Sequence, residues 1–359
     1  MNFSCLGVSF LPITAVLEMT YQCSHRCQFC SCPWMSPKGS LVLGKELSTS
    51  QWKAALDLLA QHGVHNICFT GGEALLRPDL MEIIEYAAGL SVKVIKDEEG
   101  RLVERVLPPK LYLLSNGKAV DDRVLDLCKK LDIQLSISLP GLRTFAELTG
   151  GGDVNRVLRA FEGARARGLS TVVGITVTSK NLFELYETIA AAFLAGATQL
   201  LLNRFLEGGR GRSYARELSL SREQLVEMLE TAEQALQDAG RYGSVGTELP
   251  LCLFKPERYK RLEVSTGCSA AKGFFVIGPS GNIRVCNHSP IELAHFSRIE
   301  TLKMDPYWMR FAQSAHLPAV CSDCQHAGHC AGGCREAAHI VGGAVDAPDA
   351  LLFHGGGVR

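Results

Sequence analysis

Residues 13–30 read ITAVLEMTYQCSHRCQFC, an apolar run that leads into three cysteines spaced by three and then two residues. A short apolar run of this length predicts a buried β-strand. Cys23, Cys27 and Cys30 then lie just beyond it, at the carboxyl end where α/β enzymes keep their sites. Three thiolates can hold three irons of a four-iron four-sulfur cube and leave the fourth iron without a protein ligand. The stretch therefore predicts an iron-sulfur site on an α/β fold.

Zinc is the alternative for these cysteines. A structural zinc site needs four ligands in paired short spacings, and Cys32 would be the fourth. The three-then-two spacing, with Phe29 before the last cysteine, is unlike a zinc knuckle and favours iron and sulfur.

Strand-like and helix-like segments alternate after this stretch and form six βα units. Alternation of this kind predicts a parallel sheet with right-handed crossovers, and it suits a partly closed barrel and a doubly wound sheet equally well. Ser48, with Gln51 three residues on, predicts the cap of the first helix. The predicted strands are 13–19, 66–70, 110–115, 133–138, 171–177 and 199–205, and the predicted helices are 52–61, 79–88, 122–130, 155–167, 182–195 and 222–239.

Two segments interrupt this alternation. Residues 91–109 are charged and predict a small hairpin insertion. Beyond about Gly243 the pattern changes to cysteine, glycine and short loops, which predicts a second domain stabilised more by metal than by a large core. We therefore expect one domain at 1–243 and another at 244–359.

The overall composition argues against several partners. The chain has 359 residues, of which 47% are hydrophobic, and 37 Lys and Arg balance 37 Asp and Glu. Without a global basic field we expect no nucleic-acid partner, and without a long apolar window we expect no membrane partner. Fourteen cysteines favour metal sites in a reducing cytoplasm over disulfides. Cys68 and Cys128, inside apolar segments, are expected to be small buried hydrophobes.

Two motifs together resemble the radical S-adenosylmethionine (SAM) superfamily. CSHRCQFC at 23–30 resembles its CxxxCx(aromatic)C signature, and FTGGEALLR at 69–77 resembles its GGE motif at the end of the next strand. The resemblance implies a partial (β/α)6 TIM barrel in which a [4Fe-4S] cluster on the three cysteines binds SAM. It further implies that Gly71, Gly72 and Glu73 hold the SAM amino group.

Weaker matches extend the predicted cofactor site. Ser115 and Asn116 resemble a turn of the family at the third strand, and strand-end polar residues stand where the family contacts ribose and adenosine. Each of these polar residues is equally explained as a strand-end group with hydrogen-bond partners inside the protein. We consider Arg77 and Arg210 for contacts with the SAM carboxylate or the substrate, and a solvated surface arginine is the alternative for each. The strand-end residues are Ser136, Ser138, Thr176 and Asn181.

A second group of cysteines resembles the SPASM domain of radical SAM maturases, a small cysteine-rich domain with auxiliary [4Fe-4S] clusters. By this resemblance one auxiliary cluster takes Cys268, Cys286 and Cys334, and another takes Cys321, Cys324 and Cys330. A four-cysteine zinc site at Cys321, Cys324, Cys330 and Cys334 is the alternative.

One departure from that pattern concerns a seventh cysteine, because no cysteine follows Cys334. The second auxiliary cluster then needs a ligand such as His354, Asp346 or Asp349, keeps an open iron, or is not assembled. Cys252 is a candidate fourth ligand for the first auxiliary cluster, with a free thiol as its alternative.

The implied reaction is reductive cleavage of SAM to methionine and a 5'-deoxyadenosyl radical that abstracts hydrogen from a substrate. The resemblance favours a ribosomally made precursor peptide, modified by a crosslink or an epimerised centre, with a tetrapyrrole or other small-molecule precursor as the alternative. A sulfatase maturase is disfavoured because Asn287 stands where those enzymes have an Asp base, unless His288 substitutes. A non-enzymatic iron-sulfur or zinc scaffold is the rival from another class.

Two partners besides the substrate are expected from the implied reaction. One is an electron donor such as ferredoxin or flavodoxin. The other is a separate leader-peptide-binding protein, unless the barrel or the insertion at 91–109 takes that part.

Overall fold

The computed structural model describes residues 5–7, 10–37 and 43–352. Its strands and helices follow the predicted alternation: the six predicted strands begin and end within one residue of observed strands, and the predicted helices within three. The strands are β1 (Cys5–Gly7), β2 (Thr14–Glu18), β3 (Asn66–Thr70), β4 (Val92–Glu98), β5 (Arg101–Leu107), β6 (Lys110–Ser115), β7 (Gln134–Ser138), β8 (Thr171–Val177), β9 (Gln199–Arg204), β10 (Gly243–Val245), β11 (Leu262–Val264), β12 (Phe274–Ile277) and β13 (Ile283–Arg284).

The helices pack on this framework and are joined by short 3-10 turns. Ser48 caps the first helix through the predicted capping box with Gln51, so that prediction is confirmed. The helices are α1 (Thr49–Gln61), α2 (Leu80–Ala88), α3 (Asp122–Lys130), α4 (Phe145–Thr149), α5 (Val154–Ala166), α6 (Leu185–Ala195), α7 (Ala215–Leu218), α8 (Arg222–Ala239), α9 (Pro306–Ala312), α10 (Ala327–Cys330) and α11 (Arg335–Gly342).

The order of strands in the main sheet distinguishes a barrel from a doubly wound sheet. The strands run β11-β10-β9-β8-β7-β6-β3-β2-β12-β13, and all neighbours are parallel except β12 and β13. The six predicted strands follow one another in chain order with no reversal, which is the arrangement of a βα barrel. Because β2 pairs with β12 and β9 pairs with β10, the six strands do not close on each other. The barrel is therefore partial.

The sheet continues across the predicted domain boundary at residue 243. Strands β10 and β11 extend it beyond β9, and β12 extends it beyond β2. Both edges of the barrel are thus covered by chain from the cysteine-rich part, which protects backbone groups that would otherwise be unpaired. The division into 1–243 and 244–359 stays a prediction.

The part of the chain that the structure describes has two hairpins, and the first of them confirms a prediction. Residues 91–109 form the β4–β5 hairpin, which joins β1 in a separate antiparallel sheet. Strands β12 and β13 form the other, which turns at Gly278, whose N–H donates to the Asn282 carbonyl at 2.8 Å. The strands of the main sheet pack through fully buried residues such as Leu17, Phe69 and Leu113. Among the described residues, no helix has the length and apolar character needed to cross a membrane.

Candidate active site

The cysteine loop at 23–30 follows β2 and is held from two sides by backbone hydrogen bonds. The Arg26 and Gln28 N–H groups donate to carbonyls at the end of α4, at 2.9 and 2.8 Å. On the other side, the Gly211 N–H donates to the Cys30 carbonyl at 3.0 Å, and Arg210 reaches the Cys27 carbonyl at 3.3 Å. The loops that follow β7 and β9 therefore fix this segment at the carboxyl edge of the sheet.

The three thiols of the loop form one electrostatic group. Burial raises the pKa of Cys23 and Cys27, and each of these thiols also responds to the charge on Cys30. A hydrogen bond from the Cys32 thiol lowers the pKa of Cys30 despite burial, and Arg210 acts in the same direction. Three soft donors on one short loop fit the corner of an iron-sulfur cube.

Glu73 links the cysteine loop to the next two strands. Its carboxylate is 2% exposed and accepts hydrogen bonds from the Ser115 hydroxyl at 3.0 Å and the Asn116 N–H at 2.7 Å. The Asn116 side-chain amide then donates to the Ser24 hydroxyl at 3.2 Å and lies 3.9 Å from the Cys23 sulfur. Glu73, Ser115 and Asn116 thus lie together beside Cys23, and Glu73 positions the turn after β6. The roles of these three residues in SAM binding stay predictions.

Gly71 and Gly72 allow the chain to approach the segment that leads into the cysteine loop. A Cβ at Gly72 would lie 2.1 Å from the Gln22 carbonyl oxygen. Gly71 has a φ of +137°, and its Cβ would lie 2.8 Å from the Thr20 carbonyl oxygen. In the same place the Gly72 N–H donates to the Thr20 carbonyl at 2.8 Å. The absence of a side chain at both glycines therefore allows the two chain segments to pack closely. The predicted contact of Gly71 and Gly72 with the SAM amino group stays a prediction.

The weaker sequence matches lie on the same edge of the sheet but differ in their freedom to bind a ligand. Ser136 and Thr176 are half-buried, and Ser138 is exposed. Asn181 is buried, and its amide holds its own loop: it accepts from the Thr178 N–H at 2.7 Å and donates to the Thr176 carbonyl at 2.9 Å. Their roles in SAM binding stay predictions.

The guanidinium of Arg77 is occupied by contacts within the protein. It donates to the Met19 carbonyl at 3.1 Å and the Leu47 carbonyl at 2.8 Å, and it pairs with Asp79 at 2.7 Å. These contacts commit the guanidinium to joining β2 and the starts of α1 and α2. A role for Arg77 toward the SAM carboxylate stays a prediction that these contacts do not support.

A buried ion pair behind the loop was not predicted from sequence. Glu18 at the end of β2 pairs with Arg284 of β13, and both side chains are almost fully buried. The Arg284 guanidinium lies 5.8 Å from the ring centre of Trp34 and interacts electrostatically with Cys32 and Cys286. An acidic residue at the end of an apolar strand was the available signal. This pair connects the first cysteine loop with the cysteine-rich part of the chain.

Cys268, Cys286 and Cys334 line one cavity. The cavity lies beyond the carboxyl end of β10, at the same edge of the sheet as the first loop. Its other lining residues include Glu248 and Glu336, and Glu248 accepts hydrogen bonds from Ser269 at 2.7 and 3.1 Å. Because Cys334 belongs to this group, the zinc alternative that joined it to Cys321, Cys324 and Cys330 is not supported.

The remaining cysteines form a second group near the end of the chain. Cys321, Cys324 and Cys330 interact electrostatically, and Cys252 interacts with the same group. The Leu251 N–H, next to Cys252, donates to the Cys330 sulfur at 3.3 Å, so the turn that contains Cys252 contacts this second group. The suggestion that Cys252 serves the Cys268 group stays a prediction that this contact does not support. Within 5–7, 10–37 and 43–352, no three His, Cys, Asp or Glu side chains already converge as a single metal ion would require.

The sequence around the first cysteine loop matches a known protein family. Residues 17–191 match the Radical SAM superfamily. This part of the chain is a radical SAM domain. The cofactors characteristic of that superfamily are a [4Fe-4S] cluster and SAM, and the three thiols beside the Glu73 network fit them. Cys23, Cys27 and Cys30 would hold the cluster, which supplies the electron that cleaves SAM.

Relatives and solved structures extend the likeness beyond that domain. This radical SAM protein is 27% identical to the PqqA peptide cyclase of Xanthomonas campestris pv. campestris over 87% of this chain and 79% of the relative. It is also 27% identical to the mycofactocin maturase MftC of Mycobacterium tuberculosis, over 96% and 83%.

Two solved structures share the fold at low identity. Streptococcus suis SuiB bound to precursor peptide SuiA has a TM-score of 0.72 at 15% identity, covering 95% of this chain and 76% of SuiB. The anSMEcpe protein with bound AdoMet and Cp18Cys peptide has a TM-score of 0.66 at 15% identity, covering 90% and 89%. The predicted fold class is confirmed, and the radical SAM protein is an enzyme by its family.

Proposed function

We propose that this enzyme modifies a ribosomally made precursor peptide by radical SAM chemistry. The observation that carries the proposal is the placement of Cys23, Cys27 and Cys30 beside Glu73, Ser115 and Asn116, at the edge of a sheet that also bears a cysteine-lined cavity. The relatives named as a peptide cyclase and a maturase support a peptide substrate over a small molecule. Two neighbouring folds, in addition, have peptides bound.

The protein's own residues hold and shield the reacting groups. Cleavage of SAM supplies a 5'-deoxyadenosyl radical, which takes hydrogen from the substrate. Glu73 fixes the turn at Ser115 and Asn116, and the loops after β7 and β9 fix the cysteine backbone. The buried side chains of the sheet limit the access of solvent and external reductant to the reacting groups.

The cavity at Cys268, Cys286 and Cys334 is proposed to hold an auxiliary [4Fe-4S] cluster, with a second at Cys321, Cys324 and Cys330. A sulfatase-type base is not supported at this cavity. Asn287 lines it beside Cys286 and has no basic group, and burial lowers the pKa of His288 to about 4, which makes its imidazole a weak base. We propose that the auxiliary site would take up the electron that a substrate radical loses on oxidation and would pass it to the external electron carrier.

Partner recognition is proposed for the small sheet. Strand β5 is the edge of the sheet β1-β4-β5, and its Leu102 and Val106 are exposed. An extended leader peptide can pair with such an edge by strand addition. A separate leader-binding protein is the alternative for this role. A ferredoxin or flavodoxin is the further partner that we propose, in the reducing cytoplasm that suits free thiols.

The test is anaerobic reconstitution of the full chain with iron and sulfide, followed by dithionite and SAM. Wild type is expected to form 5'-deoxyadenosine, and Cys27→Ala is expected to reduce it at least about a hundredfold because the cluster loses a ligand. Cys128→Ala, a buried thiol in α3, is the matched control and should behave as wild type. If protein with its full iron content formed no 5'-deoxyadenosine, the proposed radical SAM activity would be wrong.

The substrate class is tested by isotope transfer. Short peptides encoded beside the gene are made with deuterated side chains. Incubation with the enzyme is expected to transfer deuterium from the peptide to 5'-deoxyadenosine, and mass spectrometry measures both the labelled nucleoside and the loss of mass from the peptide. The peptide proposal would be wrong if 5'-deoxyadenosine took deuterium from none of these peptides but did take it from a deuterated small-molecule precursor.

A further inference from the structure

The second auxiliary group has three predicted thiolates and lacks the cysteine that the SPASM pattern places after Cys334. The two aspartates considered as substitutes are already paired. Asp346 binds Arg310 at 2.7 Å, and buried Asp349 binds Arg204 at 2.6 Å while accepting the Cys334 N–H at 3.1 Å. His354 lies outside the described residues. Because residues 335–359 contain no cysteine, a cluster with four protein ligands from the described residues needs a different residue to complete the group.

Cys252 lies in a 3-10 turn, Leu251–Leu253, between β10 and β11. The Leu251 N–H donates directly to the Cys330 sulfur at 3.3 Å. The neighbouring Pro250 packs on Gly333, where an added Cβ would lie 2.7 Å from the proline ring. A turn that touches both Cys330 and Gly333 brings the Cys252 thiol to the same group.

The rest of the turn is held from its other side. Arg222, the first residue of α8, donates to the Cys252 carbonyl at 2.9 Å. Farther along the chain, Gly267 packs against α10: a Cβ added at Gly267 would lie 2.8 Å from the His329 carbonyl oxygen. Two separate stretches, 250–253 and 266–267, therefore flank α10. The position of Cys252 is set by the barrel helix α8 as much as by the cysteine-rich tail.

We propose that Cys252 is the fourth thiolate of a four-cysteine site with Cys321, Cys324 and Cys330, and that this site holds a [4Fe-4S] cluster. An N–H donated to a cysteine sulfur, as Leu251 does to Cys330, is the kind of hydrogen bond that stabilises cluster thiolates. The mutual electrostatic influence of Cys252, Cys324 and Cys330 agrees with this grouping. The proposal rests on the proposed assignment of Cys321, Cys324 and Cys330 as ligands.

Nearby non-thiolate donors are the competing candidates. Asp323, His326 and His329 are exposed and lie within the same stretch as the three cysteines. Soft thiolates are the usual ligands of iron-sulfur clusters, which favours Cys252 over these oxygen and nitrogen donors. A site completed by Cys252 would join the β10–β11 connection to the tail and close a long loop, which restricts the unfolded chain.

The test compares metal content and spectra of the reconstituted full chain, wild type and Cys252→Ala. Wild type is expected to hold about twelve irons, and Cys252→Ala about eight, or about eleven with a new three-iron electron paramagnetic resonance signal. Cys324→Ala should give the same loss, and His326→Ala should keep the wild-type content. Cys252→Ser preserves the size of the side chain and is expected to show the same altered spectrum, which separates ligand loss from misfolding; circular dichroism checks the fold of each variant.

Two results would overturn the proposal. Iron, sulfide and spectra of Cys252→Ala equal to wild type would remove Cys252 from the site. One zinc per wild-type chain that is lost in Cys252→Ala would overturn the cluster. Absence of 5'-deoxyadenosine from wild type would instead fault the proposed function, because that reaction depends on the Cys23 loop.

Discussion

The two cysteine regions of this protein are built in opposite ways. In the first, three thiols lie within the eight residues 23–30, and regular elements hold the backbone from both sides. In the second, seven cysteines from Cys252 to Cys334 are spread over loops and short elements such as the 3-10 turn Leu251–Leu253 and α10. The first region thus takes its geometry from the sheet, whereas the second has few regular hydrogen bonds to hold its thiols.

This difference indicates what metal contributes in each place. A loop already held by a parallel sheet needs the cluster for chemistry and less for folding. A region of short turns whose cysteines are far apart in sequence gains structure from any group that joins them, because the binding free energy then becomes folding free energy. We expect four experimental effects from this difference between the two regions, and the largest effect comes first.

Removal of iron from the whole chain is expected to affect the two regions unequally. After anaerobic chelation, amides at 252–334 should lose at least about a hundredfold of their hydrogen-exchange protection, while those of β3, β6 and β7 keep theirs. Exchange with mass spectrometry of the loaded and stripped chain measures this. Equal loss in both regions would show that the barrel too depends on its cluster.

Gly72→Ala is expected to disrupt the first region without touching a thiol. The new Cβ would lie 2.1 Å from a backbone oxygen that has no room to move, so unfolding should be easier by about 3 kcal/mol. Gly328→Ala, in the second region, meets no atom within 4 Å and is the matched control. Denaturant unfolding measures both; similar values for the two variants would contradict the packing explanation.

Glu73→Gln is expected to weaken SAM binding by about tenfold and stability by about 1–3 kcal/mol. Burial raises the pKa of Glu73, and its oxygens face only donors: the Ser115 hydroxyl and the Asn116 and Leu75 N–H groups. A Gln would turn one of its own N–H bonds toward these donors. Calorimetric titration with SAM gives the affinity, and Glu82→Gln, an exposed partner of Lys53, should leave it unchanged.

The smallest effect is a pH dependence in the barrel, away from the cysteines. Burial tends to raise the pKa of Glu184, but hydrogen bonds from the Thr144 hydroxyl and from the Thr144 and Arg143 N–H groups outweigh it, so the pKa is lowered. A lowered pKa means stabilisation that is full above the unfolded pKa of about 4.3 and is lost as the pH falls below it.

Glu184→Gln should therefore unfold more readily than wild type at neutral pH by about 1–2 kcal/mol, with a smaller difference at low pH. Denaturant titrations across pH 3–7 supply the measurement. A difference between the two chains that stays constant over this range would show that the carboxylate charge has no part in the stability.

The sequence by itself determined the elements that depend on near neighbours. Hydrophobic periodicity located the six barrel strands, Ser48 and Gln51 located the start of α1, and the spacing of Cys23, Cys27 and Cys30 identified the chemistry. These signals are local, since periodicity, caps and ligand spacing all act within about one or two turns of chain. The Glu73 network was also foreseeable, because strand ends of a parallel sheet meet at one edge.

Tertiary structure alone decided which distant residues meet. The pairing of β12 with β2, the ion pair of Glu18 with Arg284, and the hydrogen bond from Leu251 to Cys330 each join residues far apart in sequence. Sequence spacing does not assign Cys252 to either auxiliary group, and the proposal that it completes the group of Cys330 depends on the path of the chain between β10 and β11. Side chains such as Arg77 and Asn181 likewise take their partners from the loops around them, which no local pattern records.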